Sequence, residues 1–173
     1  MAVRDILVHP SPCLKQVAEA VTEFDQALQQ LLSDLEDTLA VAPGCVGIAA
    51  PQIGVSRRVV ITDVRKAKGS CHGRLVLVNP EIIRHEGMAR GREGCLSVPD
   101  FTGNVMRAEE VVVQARDSAG RQQSFEFSGF EARVVQHEID HLEGLLFLDR
   151  LVSRRHDLFR RKVYRDGGRV RNT

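Results

Sequence analysis

Residues 136–144, QHEIDHLEG, carry two of the chain's six histidines four residues apart, with a glutamate directly after the first. On an α-helix, His137 and His141 lie one turn apart on the same face, so both imidazoles can reach one metal ion. Glu138 points to a neighbouring face of the helix, where it can accept a proton without acting as a metal ligand. Three interpretations are open: ligands of a catalytic metal, a structural metal clip, or polar positions on a helix.

The helix that carries this motif is predicted to span about residues 130–143 and to be buried. Two stripes run along it at helical spacing. They consist of Phe130, Val134, His137 and His141, and of Val135, Ile139, Leu142 and Leu146. A helix that is apolar on two faces lies inside the fold, where histidines need partners. An apolar wall beside two metal ligands also predicts a pocket for an apolar substrate side chain.

The third metal ligand has to come from elsewhere, because a catalytic site usually has three protein ligands and one open position. The metalloprotease pattern HExxHxxGxxH is matched as far as Gly144, but Phe147 stands where its third histidine would be. Downstream, residues 160–166 offer a single aspartate. Upstream, EGCLSVP (93–99) offers Cys95, whose thiolate is a strong ligand for divalent transition metals.

The residues outside this helix predict an α+β domain. An N-terminal helix is expected within residues 22–42, with Thr22 or Asp25 as its N-cap and Pro43-Gly44 as its stop. Four strand-like runs follow: RRVVITDV (57–64), RLVLVNPEII (74–83), EEVVVQAR (109–116) and QSFEF (123–127). Residues 117–120, DSAG, suit a hairpin connection between the last two.

This order of elements does not alternate strand with helix, as a parallel sheet would require. It predicts antiparallel strands wrapped around the central HExxH-bearing helix. A basic C-terminal helix is predicted over residues 154–165. Residues 1–153 are expected to form a single domain, with residues 154–173 as its basic helix or tail.

Composition and charge exclude several classes of protein. The 173 residues are 43% hydrophobic and 27% charged, and no apolar run approaches the length of a membrane span. Residues 154–173 hold eight Lys and Arg against two acids, so residues 1–153 are net acidic and a poor DNA-binding surface. The four cysteines lack CxxC spacing and the N-terminus lacks a secretion signal, which together predict a cytoplasmic protein.

Three stretches taken together resemble the peptide deformylase family: CVGIAAPQ (45–52), EGCLS (93–97) and QHEIDH (136–141). The resemblance implies hydrolysis of the formyl group from the N-terminal formylmethionine of nascent polypeptides in the bacterial cytoplasm. It implies one divalent metal, held by Cys95, His137 and His141. Fe²⁺ is expected in the cell, while Zn²⁺, Ni²⁺ and Co²⁺ suit the same ligands.

The resemblance also implies roles for other residues. Glu138 is expected to accept a proton from water and return it to the departing amine, while the Gln52 side-chain amide and the Leu96 N–H stabilise the developing negative charge. The residues expected to bind the substrate are Val46, Gly47, Gly94, Phe130 and Val134. Glu93 is expected to be a structural ion-pair partner. Two interpretations of the basic tail are open: a solvated helix face or, as the resemblance suggests, a segment that docks on ribosomal RNA.

Cys45 departs from the family, whose first motif usually opens with a glycine at this position. If the position needs a positive φ, cysteine is strained there. Two other functions are weighed against the deformylase. An internal metalloprotease is disfavoured by Phe147 and by the cysteine ligand, and a non-catalytic metal-stabilised module that binds chain termini would not need Glu138 or Gln52.

Overall fold

The computed structural model describes residues 2–65 and 72–161, and the backbone of residues 164–165 and 168–169. The helices in this part are α1 (Gln26–Val41) and α2 (Gly129–Leu142), with short 3-10 helices at Pro12–Lys15, Ala50–Ile53 and Phe147–Arg150. The strands are β1 (Gly47–Ala49), β2 (Val59–Asp63), β3 (Arg74–Glu86), β4 (Ala89–Cys95), β5 (Val98–Arg107), β6 (Glu110–Arg116), β7 (Gln122–Ser128), β8 (Leu158–Arg160), β9 (Tyr164–Arg165) and β10 (Gly168–Arg169).

The strands form two main antiparallel sheets with α2 between them. The larger sheet has the order β1-β2-β3-β6-β7 and the smaller has the order β4-β5-β8, while β9 and β10 pair with each other. Helix α2 packs against β1, β2, β6 and β7 of the larger sheet and against β5 of the smaller one. The predicted α+β fold, with antiparallel strands around the HExxH helix, is therefore confirmed.

Helix α1 forms as its sequence predicts. The Asp25 side chain caps its N-terminus by accepting a hydrogen bond from the Leu28 N–H, at 3.0 Å. Its leucines at positions 28, 32, 35 and 39 are buried in a cluster with β1 and β2. After the helix ends, Gly44 adopts a φ of +68°, which a glycine tolerates better than any other residue.

The hairpin between β6 and β7 is also confirmed. The Asp117 side chain accepts hydrogen bonds from the N–H groups of Ala119 and Arg121, and Gly120 has a φ of +83°. Within the described part of the chain, neither α-helix has the length and apolar character that crossing a bilayer requires.

The predicted C-terminal helix over residues 154–165 is wrong in the residues that are described. Residues 158–160 form β8, which pairs antiparallel with Phe101–Gly103 of β5. This pairing provides hydrogen-bond partners for the backbone N–H and C=O groups of both segments. It also places the Phe159 ring against the Arg92 guanidinium. Residues 162–163, 166–167 and 170–173 lie outside the described residues, so the grouping of 154–173 as a basic tail stays a prediction.

Candidate active site

The two histidines of α2 and the cysteine at the end of β4 meet inside the protein. His141 is 1% exposed and its Nε2 lies 3.3 Å from Cys95 Sγ. One ligand atom from each of Cys95, His137 and His141 lies within 4.8 Å of the other two. The helix supplies two ligands because of its four-residue spacing, and the smaller sheet supplies the third. This set of one sulfur and two imidazoles suits a divalent transition metal.

Glu93 orients the first histidine. Alternation along β4 puts Glu93 on the same side as Cys95, and both side chains are buried. The Glu93 carboxylate lies 2.8 Å from His137 Nδ1. When Nδ1 donates this hydrogen bond, the other ring nitrogen, Nε2, remains free for a metal. The prediction that Glu93 is an ion-pair partner is confirmed, since it binds Arg107 and Arg133 as well.

Arg107 is the centre of a buried ionic network that the sequence reasoning missed. Its guanidinium donates to both Glu93 oxygens, at 2.9 and 3.0 Å, and to Asp140 at 2.5 Å. Asp140 in turn binds Arg150. Strand alternation could have revealed this role, because Arg107 lies on the same side of β5 as the fully buried Val105.

The charges around the histidines shift their pKa values in opposite directions. Burial lowers the pKa of His137, but hydrogen bonds with Cys95 and Glu93 outweigh burial and raise it well above its usual range. Burial, together with the charge on His137, lowers the pKa of His141 well below its usual range. Burial would raise the pKa of Glu93, but hydrogen bonds from His137 and Arg107 lower it to about 2. At neutral pH the Glu93 carboxylate is therefore ionised and the His141 imidazole is neutral, the form in which histidine binds a metal.

Glu138 lies beside this set with a carboxyl oxygen available. It is 5% exposed, and its Oε2 has no hydrogen-bond partner among the described residues. Burial raises its pKa to about 7, close to neutral pH, where a group can both accept and return a proton. The carboxyl fits because residue 47 is a glycine: a Cβ there would lie 2.6 Å from Glu138 Oε1.

Gln52 is held with its amide N–H₂ towards Cys95. Its Oε1 accepts a hydrogen bond from the Ala49 N–H at 2.9 Å, which fixes which end of the amide is the donor. Its Nε2 lies 3.2 Å from Ser97 Oγ and 3.5 Å from Cys95 Sγ. Leu96 lies in the turn between β4 and β5, next to the cysteine. Both residues line the same cleft as the ligand Cys95.

These residues surround a cleft of about 230 Å³. The substrate-binding residues named from the sequence all line it: Val46, Gly47, Gly94, Phe130 and Val134. Val134 is buried, whereas Phe130 is 48% exposed at the mouth. The apolar stripe of α2 therefore forms one wall of the cleft, and the space that a Cβ would take at Gly47 and at Gly94 is filled by Glu138 and Arg161. The roles of these residues stay predictions.

Cys45 is not strained. Asn79 is the one non-glycine residue with a positive φ among the described residues, and the neighbouring Gly44 provides the left-handed turn. The Cys45 thiol donates to the Gly47 carbonyl oxygen at 2.9 Å. Burial and the nearby Glu138 raise its pKa to about 11, which keeps the thiol protonated at neutral pH. A protonated thiol is a poor competitor of Cys95 for a metal.

Taken together, the fold and the cleft define a class of protein. A buried Cys-His-His set, an adjacent carboxyl with an unpartnered oxygen and an oriented amide donor are the parts of a metal-dependent hydrolase. Two buried polar atoms without partners in the described residues, Glu138 Oε2 and His141 Nδ1, lie in or beside this set.

Comparison with known proteins identifies the family. The family model for polypeptide deformylase matches residues 3–157, and the chain belongs to this family. The peptide deformylase of Alkalilimnicola ehrlichii is 45% identical over 163 residues, which cover 94% of this chain and 90% of that protein. Deformylation of N-terminal formylmethionine is the known function of the family, and the chain is a metal-dependent hydrolase of this kind.

Solved structures agree with this assignment. The peptide deformylase of Legionella pneumophila has 45% identity and a TM-score of 0.80, covering 87% of this chain and 86% of that chain. A class I type b peptide deformylase of Acinetobacter baumannii was solved with Met-Ala-Ser bound. It has 39% identity and a TM-score of 0.81, covering 87% of this chain and 99% of that chain.

Proposed function

We propose that this chain removes the formyl group from N-terminal formylmethionine of nascent polypeptides with the residues of this cleft. The reaction adds water across the formyl C–N bond and yields formate and a free α-amine. The observation that carries the proposal is the Glu138 carboxyl, whose Oε2 has no hydrogen-bond partner among the described residues, beside the Cys95-His137-His141 set in this cleft.

Cys95, His137 and His141 would hold the metal. When bound, a divalent cation at these ligands polarises the formyl group and increases the acidity of water. Fe²⁺ is our inference for the cell, and Zn²⁺, Ni²⁺ and Co²⁺ suit the same donors. Glu93 keeps His137 in the orientation that leaves Nε2 available, because it accepts the Nδ1 hydrogen bond.

Glu138 is the proposed acid–base group. Its carboxylate accepts a proton from water as the oxygen attacks the formyl carbon, and then delivers that proton to the departing nitrogen. The negative charge that develops on the formyl oxygen is stabilised by two donors, the Gln52 side-chain amide and the Leu96 backbone N–H. Gln52 is suited to this task because the Ala49 N–H already occupies its oxygen and fixes the amide orientation.

The apolar wall would bind the methionine side chain. Val46, Phe130 and Val134 line the cleft on this side. Strands β1 and β4 each end a sheet in the described part of the chain, so their outer edges can pair with a peptide backbone near Gly47 and Gly94. The relative solved with Met-Ala-Ser bound supports the class of substrate, since that tripeptide is the kind of product the reaction releases.

The test is formate release from formyl-Met-Ala by anaerobically purified, Fe²⁺-loaded protein. Glu138→Gln, which keeps the shape of the side chain, should lower kcat by about 10²- to 10⁴-fold without loss of bound metal. The matched control is Glu126→Gln, an exposed glutamate on β7, which should react at the wild-type rate. No formate from the loaded wild type would refute the function, and full activity of the metal-loaded Glu138→Gln variant would refute the role of Glu138.

We further propose that the protein acts in the bacterial cytoplasm and docks on ribosomal RNA through residues 154–173. The eight Lys and Arg of this segment support the proposal, because such contacts release counterions from phosphates. Co-sedimentation of the protein with ribosomes should therefore weaken as salt increases. Equal binding by a chain truncated after residue 161 would contradict docking through the tail.

A further inference from the structure

Two arginines on the rim of the cleft have no carboxylate partner. Arg92 and Arg161 both line the cleft, and within the described part of the chain neither forms an ion pair. The third arginine of the lining, Arg133, is already bound to Glu93. The rim thus carries two positive charges that no carboxylate of the described residues pairs with.

Arg92 is held in position by neutral groups. Its Nε donates to Asn104 Oδ1 at 3.1 Å and its Nη1 to Thr102 Oγ1 at 3.0 Å, while the guanidinium carbon lies 3.6 Å from the centre of the Phe159 ring. The carboxylate next in this network, Asp157, is occupied by Arg90 and by Asn104. The guanidinium is therefore oriented without being neutralised, and its remaining N–H₂ group can bind a ligand.

Arg161 reaches the same rim from the end of β8. Its backbone N–H donates to the Asp100 carbonyl at 2.7 Å, which continues the pairing of β8 with β5. Its guanidinium lies against Gly94, where it would meet any Cβ at that position. Gly94 belongs to the edge of β4 along which the substrate backbone is proposed to run. A peptide bound there would bring the residues after its methionine to both arginines.

The chemistry of a guanidinium selects the ligand. Carboxylates match its planar pair of N–H donors, whereas lysine or arginine side chains are repelled. We propose that Arg92 and Arg161 form a specificity site that favours substrates with Asp or Glu at the first or second position after formylmethionine. This inference rests on the proposed deformylase function and specifies which nascent chains are processed fastest.

The preference should be moderate and sensitive to salt. Both arginines are exposed, and an exposed ion pair changes binding by at most about fivefold. Charges at the rim of a site act mainly on capture of the substrate, so the effect should appear in kcat/KM and decrease as ionic strength rises.

The experiment compares amidated peptides that differ in charge alone. The pairs are formyl-Met-Glu-Ala-amide with formyl-Met-Gln-Ala-amide, and formyl-Met-Ala-Glu-amide with formyl-Met-Ala-Gln-amide. For the Fe²⁺-loaded wild type, the Glu/Gln ratio of kcat/KM should be about two to five in at least one pair. The ratio should fall towards one in Arg92→Gln and Arg161→Gln, reach one in the double variant, and recover in part in Arg92→Lys. Arg160→Gln, an exposed neighbour on β8 that does not line the cleft, is the matched control and should keep the wild-type ratio.

The outcomes separate this inference from the proposed function. Equal rates for the Glu and Gln peptides, with formate released from both, would overturn the specificity site and leave deformylation intact. A preference for Glu that persists in the double variant would also overturn it. Absence of formate from all four peptides would instead refute the function on which the inference depends.

Discussion

At the scale of single residues, Gly47 makes room for the proposed acid–base group. Its Cα faces Glu138, and a Cβ there would lie 2.6 to 2.9 Å from three atoms of that side chain. Real Cβ contacts are longer, so any larger residue must displace the carboxyl. Glycine is therefore needed at position 47 because it leaves space for the Glu138 carboxyl, and not because of its backbone flexibility.

We therefore predict that Gly47→Ala loses activity while it retains its fold and metal. Displacement of a catalytic group by about 1 Å lowers the rate on the order of 10²-fold. Formate release and metal content are measured on the same preparation. Gly129→Ala is the control, since Gly129 also precedes a functional segment but has open space around it and a φ of +54°. That variant should lose about 1 kcal/mol of unfolding free energy and keep its rate. A wild-type rate for metal-loaded Gly47→Ala would show that the Glu138 side chain can move without loss of activity.

At the scale of elements, the 3-10 helix Phe147–Arg150 is attached to the N-terminal 3-10 helix Pro12–Lys15. Lys15 Nζ lies 2.5 Å from Asp149 Oδ2, which also accepts the Leu146 N–H at 2.8 Å. Gly144 allows the approach, because a Cβ there would lie 2.7 Å from the Lys15 backbone. Two segments whose paired residues are 134 positions apart in sequence thus contact each other next to the C-terminal end of α2.

This contact predicts a pH-dependent contribution to stability. Burial raises the pKa of Asp149, but Lys15 and the Leu146 N–H outweigh burial and lower it below its usual value. A group whose pKa is lowered on folding stabilises the protein above its unfolded pKa of about 3.9 and loses that effect as pH falls through the folded pKa. Asp149→Asn should cost about 1 kcal/mol at pH 7, and the difference from wild type should shrink below about pH 4.

Urea unfolding at both pH values tests this expectation. Lys15→Met should show the same pH dependence, and the double variant should cost less than the sum of the two single variants, because both remove one interaction. If the loss of unfolding free energy in Asp149→Asn were as large in acid as at neutral pH, the effect would come from packing of the 3-10 helix and not from the ion pair.

At the scale of the whole molecule, a buried ionic network joins the smaller sheet to the central helix. Arg107 on β5 binds Glu93 on β4 and Asp140 on α2, and all three side chains are at most 7% exposed. The same Glu93 orients His137, so the network that joins these elements also determines the position of a metal ligand. Folding and site geometry are thus coupled through one arginine.

Arg107→Met should consequently destabilise the whole protein. Removing one partner leaves two buried carboxylates without their shared cation, which costs about 3 to 5 kcal/mol. The free energy of unfolding in urea is the measurement. Arg121→Met is the control, because the Arg121–Asp117 pair is on the surface and its loss should leave the free energy of unfolding close to that of the wild type. Similar losses in the two variants would mean that Arg133 and Arg150, which also bind these carboxylates, compensate for the missing guanidinium.

Much of this architecture follows from local sequence patterns. The spacing of leucines, the Asp25 cap and the stop at Pro43-Gly44 predict α1, and the HExxH stripe predicts a buried helix because its period is 3.6 residues. Alternating apolar residues and the DSAG turn predict the β6–β7 hairpin. In each case the deciding residues are neighbours in sequence, so the physical information is local.

Other features required the tertiary structure. Residues 158–160 form a strand, where the sequence predicted a helix, because their partner in β5 lies more than fifty residues earlier and no local pattern encodes that pairing. The Arg107 network likewise depends on three separate elements meeting in a low-dielectric interior, where each charge needs a partner. The sequence by itself determined the catalytic helix, its histidine pair and the class of chemistry. Only the tertiary structure decided which charges are neutralised and which, like those of Arg92 and Arg161, have no ion-pair partner among the described residues, because partners distant in sequence become neighbours only on folding.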